Sequence, residues 1–214
     1  MNAFPWKMDD EDEDEDGGCG GSCNDAKEKE EEKTSLERQM QDSFLKNRRI
    51  FLWSAIDDKL ARDVVSRLVF LDSQSHEDIV LLINSPGGVI SSGLAILDCM
   101  DAIKSNVVTV VMGQAASMAA VIQACGTPGK RYAWKRSRIM IHQPLISGTM
   151  YGPASDIQIQ AQEMLRIRSE LNELLAQVTG KSVERIEQDT DRDNFMTSTE
   201  ALAYGMIDKI ENFL

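Results

Sequence analysis

A serine hydroxyl attacks efficiently only when a base takes its proton and a carboxylate holds that base in the right tautomer. The choice of base is narrow here, because the 214 residues include two histidines, His76 and His142. His142 closes the apolar stretch 139–142 and precedes Gln143 and Pro144, which fixes it at a strand end. His76 lies in the polar run SQSHED, where an imidazole is ordinarily just solvated. Ser117 falls where an apolar run and the turn GQAA give way to a helical pattern. The first N–H groups of a helix lack partners and favour negative charge, so a nucleophile is well placed there. Ala115 and Ala119 are small, as a tight turn demands, although the segment is not G-x-S-x-G. Helix capping is the ordinary role of such a serine. For the carboxylate, Asp189, Asp191 and Asp193 alternate in QDTDRDNF, so an extended segment would turn all three one way; a solvated loop is the plainer reading, and the pattern selects none of them.

Two further groups bear on chemistry. The turn SPGG, Ser85 to Gly88, carries paired glycines that permit positive φ and close backbone approach, and a free N–H there could face an oxyanion. Cys19 and Cys23 could hold a metal or form a loop disulfide, but no histidine or further cysteine stands near enough to complete a four-ligand site.

The elements that must position these residues alternate between strand and helix. Leu36, Met40, Phe44 and Leu45 fit one face of a helix within 34–49, and 50–53 reads as a short strand. Asp57 can cap a helix whose apolar face is Leu60, Val64, Val65, Leu68, Val69 and Leu71. The stretch 79–83 reads as a buried strand, and SPGG leads into a helix bearing Leu94, Ile96, Leu97, Met100 and Ile103. The next unit is strand 107–112, turn GQAA and helix 117–124 closed by Gly126. Two such units in a row predict an α/β fold with parallel strands and crossover helices. A brief strand over 139–142 follows, then a long amphipathic helix over 154–179 stopped at Gly180. Thr197 and Glu200 form a capping box for a last helix ending at Gly205, and 206–210 is a final strand.

The net charge of −12 is unevenly spread. Residues 1–33 carry thirteen acidic residues against four lysines, a net −9, which leaves −3 for residues 34–214. The head, with its acidic octet, Gly/Cys spacer and Lys/Glu run, repels itself and buries little, so it is expected to be a disordered extension. The remainder, at 34–214, is expected to be one domain, large enough to bury roughly 70% of the surface its unfolded chain exposes. Neither part offers a basic stripe for nucleic acid. No apolar run approaches the ~20 residues of a membrane span. The start has no apolar leader and is acid-rich where transit peptides are acid-poor, which is consistent with a cytoplasmic protein. Cys99 and Cys125 lie in apolar surroundings, where a free thiol behaves as a small hydrophobe.

Taken together, INSPGGVISSG (83–93), MGQAASMAA (112–120), RIMIHQP (138–144) and DRDNFMTSTEALAYGMID (191–208) resemble, in order, the proteolytic subunit of Clp protease. The resemblance extends from about Phe44 to the C-terminus. It implies Ser117 as nucleophile, His142 as base and Asp193 as orienting carboxylate, with the N–H groups of Gly88 and Met118 as oxyanion hole. It also implies a crotonase-like fold of repeated β-β-α units with a long handle helix, and two stacked seven-membered rings, which could include a second related subunit. Unfolded polypeptide would be cleaved to peptides in the enclosed chamber, fed by a separate AAA+ unfoldase. That partner would hydrolyse the ATP, since no G-x-x-x-x-G-K-[ST] occurs here. The chemistry calls for no metal or organic cofactor. The sequence departs from the family where its members carry a partly apolar axial segment, here the acidic tract; where aromatics precede INSPGG, here Val80 and Leu82; and in the loop after His142, which is longer by two residues. The alternatives are a non-proteolytic or regulatory ring subunit that recruits proteins by its acidic tail, and an acyl-CoA enzyme on the same fold, for which the Ser/His/Asp set is superfluous.

Overall fold

The computed structural model describes residues 36, 38–145 and 151–212. The acidic head, with Cys19 and Cys23, lies outside the described residues, as does 146–150 within the loop after His142. Of the helix expected over 34–49, residues 38–46 are described as helical (α1). The chain divides into two units, Met1–Asp42 and Ser43–Leu214. The second unit holds the seven-stranded sheet and the candidate site residues.

Its elements run β1 (Arg49–Leu52), α2 (Asp58–Gln74), β2 (Ile79–Ser85), α3 (Ile90–Ala102), β3 (Val107–Ala116), α4 (Met118–Ala124), β4 (Arg131–Ala133), β5 (Arg138–Ile141), α5 (Ala154–Thr179), α6 (Val183–Thr190), β6 (Asn194–Thr197), α7 (Ser198–Tyr204) and β7 (Lys209–Ile210). Strands β1, β2, β3, β4 and β7 pair side by side in parallel. Parallel neighbours need long crossovers, and α2, α3 and α4 lie in those connections. The fold is therefore the mixed α/β architecture that the alternation predicts.

Local chemistry explains the ends of the helices. The Asp57 carboxylate accepts from Leu60 N at 2.7 Å and starts α2. Thr197 and Glu200 form the capping box of α7, and Gly180 and Gly205, both left-handed, stop α5 and α7. Residue Arg48 closes the turn before β1 with φ 53°, and its guanidinium donates to the carbonyls of Leu71, Ser75, Glu77 and Asp78.

The main core lies between one sheet face and the helices, with Ile50, Leu81, Ile83, Ile96, Ile122 and Ile139 all inaccessible to solvent. A smaller cluster of Val80, Leu82, Val108, Val110 and Tyr132 alternates with it along the strands and so occupies the other face. The departure positions Val80 and Leu82 belong to that second face. Helix α2 buries Ala61, Val64, Leu68 and Leu71, whereas Val69, expected inside, is 53% exposed because it lies off that stripe.

Three differences from the sequence-based expectations bear on the site. The expected turn GQAA is instead the far half of β3, because Gln114–Ala116 pairs with Arg138–Met140. The near half of the same strand pairs with β4, so β3 serves two neighbours in succession. Gly113, at φ 92°, stands at the change of partner, beside a register shift between Ile83 and Ser85. Secondly, 189–193 is not one extended run, since Asp189 lies inside α6. Thirdly, β6, a strand that the sequence patterns do not announce, pairs antiparallel with β5.

Candidate active site

Three adjacent strand ends assemble the site. β3 and β5 are parallel and finish together, with Ala116 opposite Met140, so Ser117 leaves the sheet beside the end of β5 and its N–H donates to Met140 O at 2.8 Å. β6 runs the other way and begins where β5 ends, with Asn194 opposite Ile141. One further step in that antiparallel register sets Asp193 across from His142. Serine, histidine and aspartate thus meet at one edge although 76 positions separate the first from the last.

The side chains complete the relay. His142 Nε2 is 2.8 Å from Ser117 Oγ, and His142 Nδ1 is 2.9 Å from Asp193 Oδ1. The imidazole is mostly buried, at 14% exposure, while the carboxylate side chain is 60% exposed. With Asp193 accepting at Nδ1, the tautomer that presents a free lone pair to the hydroxyl is the favoured one.

Ser117 stands at the N-cap of α4 yet makes no capping bond; its backbone has φ 56° and ψ −126°. A non-glycine residue there is strained by about 1–3 kcal/mol and persists only because its surroundings impose it. The strain turns the hydroxyl off the helix end, where capping would occupy it, toward His142. The sharp strand-to-helix elbow is present without the flanking glycines of the commoner motif.

The SPGG turn lies directly against this elbow. A Cβ at Gly87 would come within 2.7 Å of Ser117 Cβ, and one at Gly88 would strike the Ile56 backbone. Ser85 Oγ accepts from Gly87 N at 3.1 Å and sets the turn. The bridge to Ile56 uses Gly87 O and Val89 N, which leaves the N–H of Gly88 facing away from it. Met118 opens α4, so its N–H has no partner within the helix. These are the two donors that the resemblance names.

A cavity of about 800 Å³ opens beside Ser117 and His142, with Ile56, Val89, Ile90, Leu145, Met164 and Ile167 among its walls. It can take an apolar side chain next to the hydroxyl.

The remaining candidates are elsewhere. His76 Nδ1 pairs with Asp72 Oδ1 at 3.1 Å on α2 and its following turn. Asp189 accepts from Arg185 and from Tyr204, and Asp191 Oδ1 lies 3.4 Å from Gln143 Nε2. Sequence reasoning missed Gln143, whose N–H donates to Thr190 O at 2.6 Å and whose side chain donates to Asp191 O at 2.7 Å. Its position directly after His142 was the available signal. Among the described residues no group of His, Cys, Asp and Glu is arranged to hold a metal ion, and no helix is long and apolar enough to cross a membrane. Burial pushes the Cys125 thiol up to about 12, which disfavours its thiolate. A family model described as Clp protease matches residues 30–212, nearly the whole chain.

Proposed function

The chain belongs to the Clp protease family, and from that premise we propose that it is a serine endopeptidase that cleaves unfolded polypeptide through an acyl-enzyme. The observation that carries this reading is the continuous relay from Ser117 Oγ through the imidazole to Asp193, at 2.8 and 2.9 Å.

In the first half-reaction Ser117 Oγ adds to the peptide carbonyl while His142 Nε2 takes its proton. Asp193 accepts from Nδ1–H, holds the ring and offsets the imidazolium charge. The carbonyl oxygen becomes an oxyanion, for which the N–H groups of Gly88 and Met118 are the donors, a contribution of about 3–4 kcal/mol per donor in related sites. His142 then gives its proton to the leaving amine, the C–N bond breaks, and the acyl group stays on Ser117. Water repeats the sequence, with His142 again as base, and releases the carboxylic acid. The apolar cavity receives the side chain next to the scissile bond, which selects for apolar residues there.

As a family member the chain is read as the subunit of a ring assembly, two stacked heptamers, that receives unfolded chains in the cytoplasm from an AAA+ ATPase. Residues 1–33 are read as an acidic extension of the peptidase domain that disfavours acidic substrates by charge over about one Debye length, ~8 Å at physiological salt. Deleting it should speed cleavage of an acidic unfolded substrate more than a basic one, and high salt should erase the difference.

The test of the peptidase reading is hydrolysis of an unfolded protein and of short apolar peptides, with the native mass recorded alongside. Wild type should cleave both as a multimer, and Ser117→Ala should assemble identically and cleave neither. Cleavage that survives in Ser117→Ala overturns the reading.

A further inference from the structure

Among the described residues Asp193 hydrogen-bonds to one side chain, His142, and most of its own side chain faces solvent. Its place is therefore set by its backbone. That backbone follows directly from α6, whose last residue, Thr190, accepts from Gln143 N, and whose next residue, Asp191, accepts from Gln143 Nε2. The base and its carboxylate are thus pinned to each other through the end of α6 as well as through the pairing of β5 with β6.

A buried polar pair, Asn172 and Thr190, bonds at that end. Asn172 is buried on α5 with Leu171, Leu175 and Ala176, and is 2% exposed. A buried amide among aliphatic groups is costly unless it is bonded. Its terminal oxygen lies 3.2 Å from Thr190 Oγ1, which donates to Ile186 O at 2.8 Å, and its Nδ2 is buried with no partner among the described residues. Thr190 has a single hydroxyl proton, which the shorter bond to Ile186 consumes. Exchanging nitrogen and oxygen leaves the outline of the amide unchanged and ends the competition for that proton, the amide oxygen then taking the buried place of Nδ2. The amide N–H then donates to Thr190 Oγ1, and Thr190 donates to Ile186. Asn172 is in this way a donor clamp from α5 onto the last residue of α6.

We propose that Asn172 is a positioning residue that acts through Thr190 to hold Asp193 and His142 at bonding distance. The inference rests on the serine-peptidase reading above. It predicts that the amide is needed for turnover, beyond its part in stability, because a displacement of about 1 Å at a catalytic group costs on the order of 10²-fold.

The experiment compares Asn172→Leu, Thr190→Val, Thr190→Ser and the Asn172→Leu/Thr190→Val double variant, each assayed on a short apolar peptide and normalised to folded, assembled protein. Leu175→Ala, one turn along α5, is the control for a purely structural loss. Asn172→Leu and Thr190→Val should each lower kcat by roughly 30- to 100-fold with KM unchanged. The double variant should be no worse than either, since both break one connection. Thr190→Ser, which keeps the hydroxyl, should retain most activity. Leu175→Ala should lower the melting temperature and leave kcat within about 2-fold. Full kcat in folded Asn172→Leu or Thr190→Val, or additive losses in the double variant, overturns the proposal. Should Asn172→Leu fail to fold, Thr190→Val against Thr190→Ser decides alone. Failure of the peptidase reading shows itself differently, as a wild type whose turnover survives Ser117→Ala.

Discussion

Two imidazole–carboxylate pairs occur in this chain, and they are opposites. His76 Nδ1 meets Asp72 Oδ1 at 3.1 Å and His142 Nδ1 meets Asp193 Oδ1 at 2.9 Å, so the bonds themselves barely differ. What differs is which partner is enclosed. At the first pair the ring is 55% exposed and the carboxylate 18%; at the second the ring is 14% exposed and the carboxylate 60%. The Asp72 oxygen is consumed by Lys104 N, Ser105 N and Ser105 Oγ, which makes it a cap for the turn before β3, with His76 as an outlying neighbour. Among the described residues Asp193 hydrogen-bonds to its imidazole alone, and that ring carries its second nitrogen to a strained serine. A histidine–aspartate contact is therefore not evidence of catalysis by itself. What sets the second pair apart is where the other ring nitrogen points and the strand ends that aim it.

The contrast can be broken most severely at the rings. His142→Ala should slow acylation of Ser117 by about 10³- to 10⁴-fold, as loss of the base does in other serine hydrolases, and His76→Ala should change it less than about 2-fold. Stopped-flow acylation with an activated ester measures both. Equal losses would mean that the two pairs do not differ in function.

At the carboxylates the expected effects cross. Asp193→Asn should lower kcat by about 10³-fold through loss of the ring's orientation, with little change in melting temperature because its side chain packs against little. Asp72→Asn should leave kcat nearly untouched and cost several degrees of melting temperature, as a lost multidentate cap does. Peptide hydrolysis and calorimetry on the same preparations separate the two.

The smallest effect concerns pH. The Ser105 hydroxyl, its N–H and His76 together hold the Asp72 carboxyl at about 2 against an ordinary 3.8. A depressed acid stabilises the fold fully above its unfolded value and loses that contribution as pH falls through its folded one. Wild type should therefore lose stability between about pH 4 and pH 2 more steeply than Asp72→Asn, a difference readable in urea midpoints. Parallel slopes would show that the cap carries no charge-dependent stability.

Much of the fold is legible in the sequence where a residue's own chemistry marks a boundary. Asp57, Gly180, and the Thr197/Glu200 pair announce their helix ends because caps are local. The alternation of apolar runs announces a parallel sheet. Ser117 and His142 can be singled out because each ends a recognisable run and only two histidines compete. Asp193 cannot be chosen by pattern over Asp189 and Asp191, because its place depends on the antiparallel pairing of β5 and β6, a contact between residues more than fifty positions apart. The run GQAA looks like a turn for a similar reason. Its glycine does bend the chain, but β5 supplies hydrogen bonds that keep Gln114–Ala116 extended. The elbow at Ser117 is likewise invisible, since small neighbours permit a left-handed serine without requiring it. Val69 shows the limit of periodicity, which locates a helix face only to within a residue or so.

The most direct test of the central claim is to locate a fluorophosphonate adduct by mass spectrometry of the intact protein and its peptides. The relay at Ser117 predicts one adduct per chain, on Ser117, formed in wild type, formed in His76→Ala at the wild-type rate, and suppressed by about 10³-fold or more in His142→Ala. An adduct on another residue, or labelling of Ser117 that is indifferent to His142, would contradict it.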